Sequence, residues 1–288
     1  MEYVAIDIGG SQIKSGIVGL DGEIRNWTFR ETPQDARPQE LLSLLTDVVS
    51  GQVTAETAGI GISTLGAVNG KLGMVVGACS NLPAICNLPL RDHLEQTFRV
   101  PVTVRNDVDA AALGEAFYGA GRGLEQFYCL TLGTGIGGAF VLRGHIFTGA
   151  NGLAGEIGYI RQAHGTCFEG RASSGAFVRM CRAQGDPRTS GREIFKSAMQ
   201  GRDNQELYDK WIRNVASGIC EIVYMFDPGT VIVGGGVSCY GRLLCDPIQK
   251  ALDEMLLPDF RGKTEVIAAA AGNNANLLGA TVDFIPHS

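Results

Sequence analysis

At 288 residues the chain is too long for one minimal core and suits either one large α/β domain or two lobes of about 100–150 residues each. With 45% hydrophobic and 19% charged residues it falls in the usual range for globular domains, which excludes a disordered chain. A net charge of -6 without a run of Lys or Arg leaves no footprint for nucleic acid, and no stretch approaches the ~18 unbroken apolar residues of a membrane span.

Taken in order, residues 3–8 form a short apolar run rich in β-branched side chains. Gly9-Gly10-Ser11, an alternating run over 13–18, the turn Asp21-Gly22 and a third short run follow. This reads as strand, glycine loop, strand, turn, strand. The N-terminus lacks the basic start and long apolar core of a signal peptide, so a cytoplasmic location is expected. Pro38–Ser50 places apolar residues at 41, 42, 44, 45, 48 and 49, the stripe of a helix with one buried face. Residues 58–63 and 102–104 read as strands. A helix is predicted from about Asp107, with Asn106 as its cap and Ala110-Ala111-Ala112-Leu113 as strong helix formers.

Residues 127–132, the glycine loop 133–138, the run 139–142 and the turn at Arg143-Gly144 repeat the opening order with nearly the same separation, which implies an internal duplication. Leu207, Trp211, Val215, Ile219 and Val223 then recur every four residues, a long buried helix ending at Asp227-Pro228-Gly229. A strand over 230–233 runs into Gly234-Gly235-Gly236. Strands alternating with helices imply an α/β protein with a mainly parallel sheet in each lobe. The lobes are expected at 1–115 and 116–288, with the last helix, from about residue 274, returning to the first.

The 40 glycines are about twice the usual ~7% and fall in clusters. Three clusters each follow an apolar strand, where a backbone without Cβ can approach phosphate oxygens and offer several N–H donors. A single such loop is more often only a tight turn; three in one chain favour a phosphate site. Neither a P-loop nor a Rossmann fingerprint is present. Asp107 opens its predicted helix, where the helix dipole favours an ionised carboxylate, and it could equally be a capping residue. The eight cysteines are scattered without a Cys-x-x-Cys pair and read as reduced thiols.

Four ordered motifs carry a resemblance. They are Asp7-Ile8-Gly9-Gly10-Ser11-Gln12-Ile13-Lys14, Asn106-Asp107-Val108-Asp109-Ala110-Ala111-Ala112-Leu113-Gly114-Glu115, Leu132-Gly133-Thr134-Gly135-Ile136-Gly137-Gly138 and Ala154-Gly155-Glu156-Ile157-Gly158-Tyr159. Together they resemble the ROK family of sugar kinases and related repressors, over residues 3 to about 280. The resemblance implies a two-lobed actin-like ATPase (ribonuclease H-like) fold built from a duplicated β-β-β-α unit. It implies that Asp7, Gly9, Gly10, Ser11 and Lys14, with Gly133, Thr134, Gly135 and Gly137, hold the phosphates of ATP, and that Gly234, Gly235 and Gly236 lie against the adenosine. Asp107 would take the proton of a sugar hydroxyl, with Mg²⁺ on the phosphates, and Asn81, Asn106, Glu156 and Glu169 would contact the sugar. A homodimer is also implied.

The chain departs from the family at one place. Many members follow Gly-Glu-Ile-Gly with a His and a cysteine knuckle that binds structural zinc. Here Tyr159 replaces the His, and His164 and Cys167 cannot supply four ligands, so no zinc is expected. Tyr159 then stands where the family's His touches the sugar. Relatives without zinc that resemble the segment Phe168-Glu169-Gly170-Arg171-Ala172 point to an N-acetylmannosamine kinase, with glucokinase and β-glucoside kinase as alternatives. A sugar-sensing regulator without catalysis is the alternative of another class. The family's repressors carry a helix-turn-helix ahead of the first glycine loop, and in this sequence only two residues precede the strand that leads into that loop.

Overall fold

Two sheets of one plan organise the chain. In the computed structural model, which describes residues 1–77, 79, 81–161 and 165–285, the first sheet is built from β1 (Glu2–Ile8), β2 (Gln12–Gly19), β3 (Ile24–Glu31), β4 (Thr57–Thr64) and a fifth strand introduced below. α1 (Pro38–Ser50) precedes β4. A small hairpin, β5 (Val68–Asn69) and β6 (Met74–Val75), then α2 (Leu90–Phe98), lead to β7 (Val102–Asn106) and α3 (Asp107–Tyr118). The second half supplies β8 (Gln126–Leu132), β9 (Ile136–Leu142), β10 (His145–Ile146), α4 (Phe168–Ala172), α5 (Ser174–Ala183), α6 (Gly191–Met199) and α7 (Gln205–Phe226). It continues with β11 (Thr230–Gly234), α8 (Arg242–Met255), β12 (Glu265–Ala268) and α9 (Ala275–Ala280).

Strand order is β3-β2-β1-β4-β7 in one sheet and β10-β9-β8-β11-β12 in the other. In each, an antiparallel meander of three strands is extended by two parallel strands. The duplication legible in the glycine loops is therefore a duplication of topology. Every residue of β1 is buried, as a β-branched strand covered on both faces should be. β3, at the sheet edge, is exposed along its length and carries Arg25, Asn26, Arg30 and Glu31, the charged and polar residues that discourage further pairing.

The chain divides into two compact units: Met1–Arg122 with Thr148–Ala154 and Asn274–Ser288, and Gly123–Phe147 with Gly155–Asn273. The boundary expected at 115/116 falls inside α3. Residues just beyond it stay with the first unit because α3 continues to Tyr118, whose ring lies where a Cβ on Gly22 would fall. Each unit has its own core. In the first, Val4, Ile6 and Ile8 pack with Leu41, Leu45 and Val49 of α1 and Leu90 and Leu94 of α2. In the second, Leu130 and Leu132 pack with Trp211, Val215 and Ile219 of α7 and Leu244, Ile248 and Leu252 of α8. The Trp211 indole N–H donates to the Ala172 carbonyl at 2.8 Å, so the largest buried side chain leaves no polar group unpaired. α9 packs on α3, β1 and β4, inside the first unit.

Candidate active site

Register brings the first set of polar residues together. β1, β4 and β7 run parallel with Asp7 beside Ser63 and Thr64 beside Asn106, so Asp7, the loop 9–11 and Asp107 all stand at the carboxyl ends of neighbouring strands. That is where ligands bind to open α/β sheets. Asp7 is only 7% exposed. Its Oδ1 accepts the Ser63 hydroxyl at 2.8 Å and the Asn276 amide at 3.1 Å, while Oδ2 faces Lys14 Nζ at 3.4 Å. The glycine turn is anchored from outside. The Gly9 N–H donates to the Gln12 carbonyl at 2.9 Å, and the Gly9 carbonyl accepts the Thr32 hydroxyl at 2.7 Å. Ser11 is exposed, as is Asn81, which borders Gly10.

Asn106 caps α3: its Oδ1 accepts the backbone N–H of Val108 at 2.8 Å and of Asp109 at 3.4 Å, and its amide donates to the Gly66 carbonyl at 3.0 Å. The cap is thus Asn106, and Asp107 is the first helical residue, with Oδ1 accepting the Val108 N–H at 3.0 Å. The helix dipole and that N–H favour an anion, yet they lose. Burial first, then the charge of Asp7, push the Asp107 carboxyl up to about 6. A helix N-terminus contributes only ~0.3–1 kcal/mol, less than desolvation of a carboxylate costs. The sequence expectation of a favoured anion is corrected accordingly.

The second unit repeats the arrangement. β8 and β11 run parallel with Thr131 beside Gly234, so Gly133-Thr134-Gly135 and Gly234-Gly235-Gly236 leave adjacent strands at the same edge. Gly235 has φ +83°, and a Cβ there would stand 2.6 Å from the Leu132 carbonyl oxygen. Gly137 lies at the start of β9, opposite Thr131. Glu156 is exposed at the head of a short turn that ends in Tyr159. Desolvation, and then the charge of Glu169, raise its carboxyl. Tyr159 is 69% exposed, and its phenol is raised by partial desolvation and then by Glu156 and Glu169. Glu169, in the first turn of α4, accepts the Ile136 N–H on Oε2 at 3.0 Å. A Cβ on Gly135 would fall against Oε2 of that carboxylate and would push it aside, so glycine at 135 also makes room for a protein neighbour.

Sequence reasoning missed Ser63, Asn276, Thr32 and Ser174. They support site residues from strands and helices far along the chain, and no local pattern marks them. Among the described residues no group of three or more His, Cys, Asp or Glu could hold a metal ion. His164 lies outside the described residues; Cys167 is partly buried. No described helix is long and apolar enough to cross a membrane.

Comparison with known proteins places this geometry in a class, that of ATP-dependent sugar kinases with the two-lobed actin-like fold. A ROK family glucokinase from Streptomyces griseus, solved with glucose and AMPPNP, is 31% identical and superposes with a TM-score of 0.85 over 99% of both chains. The glucokinase of Thermotoga maritima is 30% identical over 97% of this chain and 96% of its own, and the N-acetylmannosamine kinase of Shigella flexneri 32% over 98% of each. The chain belongs to the ROK family, whose profile matches residues 3–284.

Proposed function

We infer that the chain transfers the γ-phosphoryl group of ATP to the 6-hydroxyl of a hexose or N-acylhexosamine, with Asp107 as the general base. The observation that carries this is the Asp107 carboxyl itself, held at a strand end and pushed up to about 6 by burial and Asp7. A base poised near neutral pH can take a hydroxyl proton as the oxygen attacks phosphorus and still be ionised beforehand. Asn106 orients the base from the preceding position. The loops at 9–11 and 133–138 supply N–H donors to the phosphates, and 234–236 offer an open backbone surface to the adenosine. Glu156 and Glu169 accept hydrogen bonds from sugar hydroxyls, with Asn81 and Tyr159 as further contacts.

The first unit's donors suit the Mg²⁺ that accompanies ATP. Asp7 commits Oδ1 to neutral donors and turns Oδ2 to Lys14, so an Mg²⁺ there would share Oδ2 with the ammonium; Mg²⁺ usually takes one or two carboxylates besides phosphate and water. When bound, that ion neutralises charge on the phosphates. Free thiols at all eight cysteines fit a reducing cytoplasm. A homodimer is the assembly that the family resemblance implies. Native mass spectrometry should show a dimer without zinc; a monomer, or about one zinc per chain, removes the respective claim.

The pH profile tests the base. Because the Asp107 carboxyl must be ionised to accept the proton, kcat/KM for the sugar should rise with an apparent pKa of about 6. Asp7→Asn should move that limb downward, since the charge of Asp7 is the second cause of the elevation. An acid limb near 4 in the wild type would exclude Asp107.

Identity does not separate the sugars, because a glucokinase is 30% and an N-acetylmannosamine kinase 32% identical. The reading of N-acetylmannosamine rests on Tyr159. It is turned largely to solvent, where relatives with a zinc knuckle hold a His, and an N-acetyl group at C2 would take the space such a His fills. We expect a higher kcat/KM for N-acetylmannosamine than for glucose in a sugar panel. Glu169→Ala should erode the preference by about 1–3 kcal/mol. If glucose or a β-glucoside is better by tenfold or more, the N-acetylmannosamine assignment falls and the kinase remains.

A further inference from the structure

Glu169, whose charge raises the Glu156 carboxyl, is also fastened to the neighbouring glycine loop. Its Oε2 accepts the Ile136 N–H, and a Cβ on Gly135 would displace the same carboxylate. The turn that follows continues along the loop. The Ser174 hydroxyl donates to the Gly133 carbonyl at 2.6 Å, and the Gly175 N–H to the same carbonyl at 3.2 Å. α4 is fixed from behind as well. The Phe168 ring occupies the space that Gly218 of α7 leaves, and the Arg171 guanidinium lies 5.1 Å above that ring and 3.5 Å from Glu221. Glu169 therefore extends from a braced segment onto the loop.

We propose that Glu169 is a positioning residue for the nucleotide loop, so that one carboxylate serves both substrates and couples their binding. This rests on the reading of 133–138 as the phosphate loop and of Glu169 as a sugar contact, each of which has its own arm in the test. A carboxylate offers about four acceptor sites. With Oε2 on Ile136, Oε1 remains for a sugar hydroxyl. A hydroxyl held there fixes the carboxylate, and through it the loop whose N–H groups must converge on phosphate. The first ligand thus meets part of the ordering cost of the second. By linkage the effect is reciprocal: nucleotide must tighten sugar by the same factor.

The decisive measurement is calorimetric titration of the full chain with Mg²⁺ and AMPPNP and no sugar. Glu169→Ala should bind AMPPNP at least about fivefold more weakly, the effect of losing one charge-assisted hydrogen bond. Glu169→Gln, whose amide oxygen can accept the same N–H, should stay within about twofold of wild type. In the wild type, saturating N-acetylmannosamine or glucose, whichever binds, should tighten AMPPNP about fivefold or more, and Glu169→Ala should abolish that gain. If Glu169→Ala binds AMPPNP alone as tightly as wild type, or more tightly because a negative charge has left the loop, the proposal is overturned. Titration with sugar alone addresses the other reading: sugar affinity unchanged in Glu169→Ala removes Glu169 from the sugar site and the coupling with it. Gly133→Val reports on the loop, because the nearest atom to its Cβ would be 3.9 Å away. AMPPNP binding unaffected by that change would remove the loop from the nucleotide site and take the proposal with it.

Discussion

Asp107→Asn should cut kcat by ~10²–10⁴-fold and at the same time raise the melting temperature at pH 7.5. The loss follows from the amide, which keeps the shape of the carboxylate but cannot accept a proton. The gain follows from the surroundings of the charge. Folding lifts the carboxyl from 3.8 to about 6, so the folded chain holds this proton more tightly than the unfolded one. The folded state is favoured by that proton below about 4, and the advantage is lost as pH rises through about 6. At pH 7.5 the wild type carries a charge its environment opposes, by at most ~3 kcal/mol for such a rise. Because Asp107 is partly open to solvent, the expected gain is discounted to ~1–2 kcal/mol. ATP and sugar should still bind. A residue that only completes a helix would behave otherwise: its loss would lower stability and spare turnover. Turnover above half of wild type, or a lower melting temperature, would sink the assignment of Asp107 as base.

The duplicated strands and glycine loops were legible because their signals are local. A β-branched run followed by glycines is written in adjacent residues, and its recurrence needs no knowledge of packing. Pro38–Ser50 emerges with the expected buried stripe for the same reason, and Asn106 as cap because side chain and backbone are neighbours. What joins distant segments was not legible. Asn276 reaches Asp7 across 269 positions, and nothing around it distinguishes it from Asn273 or Asn274. Asp107 illustrates a different limit. Its helix position argued for a stabilised anion, but the desolvation and the Asp7 charge that win belong to the folded environment. At Gly135 approach to phosphate is an incomplete reason for glycine, since the Glu169 carboxylate also lies where a Cβ would fall. Ala110-Ala111-Ala112 likewise read as helix formers, yet Ala110 is small because α9 lies directly on it.

That contact yields the largest expected effect on stability. A Cβ on Gly279 would overlap the Ala110 carbonyl and come 2.6 Å from the Gly114 backbone nitrogen, while one on Gly114 would collide with the Ala275 carbonyl. α3 and α9 therefore meet backbone to backbone, and neither can yield by changing a rotamer. Overpacking a core ordinarily costs ~1–3 kcal/mol, and obstacles made of backbone belong at or beyond the top of that range. Gly279→Val should accordingly destabilise the first unit by about 3 kcal/mol or more, a fall in melting temperature of about 5–10 °C for a chain of this size. The damage should reach the chemistry too. α9 carries Asn276, whose amide helps fix Oδ1 of Asp7, and α3 begins at Asp107. Separating the two helices misaligns both carboxylates, so kcat should fall by tenfold or more even at temperatures where the variant remains folded. Gly70→Val is the matched control in the same unit, because no atom lies within 4 Å of its Cβ and its φ is not positive. It should leave melting and turnover unchanged. A Gly279→Val protein that melts with the wild type would show that α9 is free to shift on α3, and would remove the helix pair as the support of the two carboxylates.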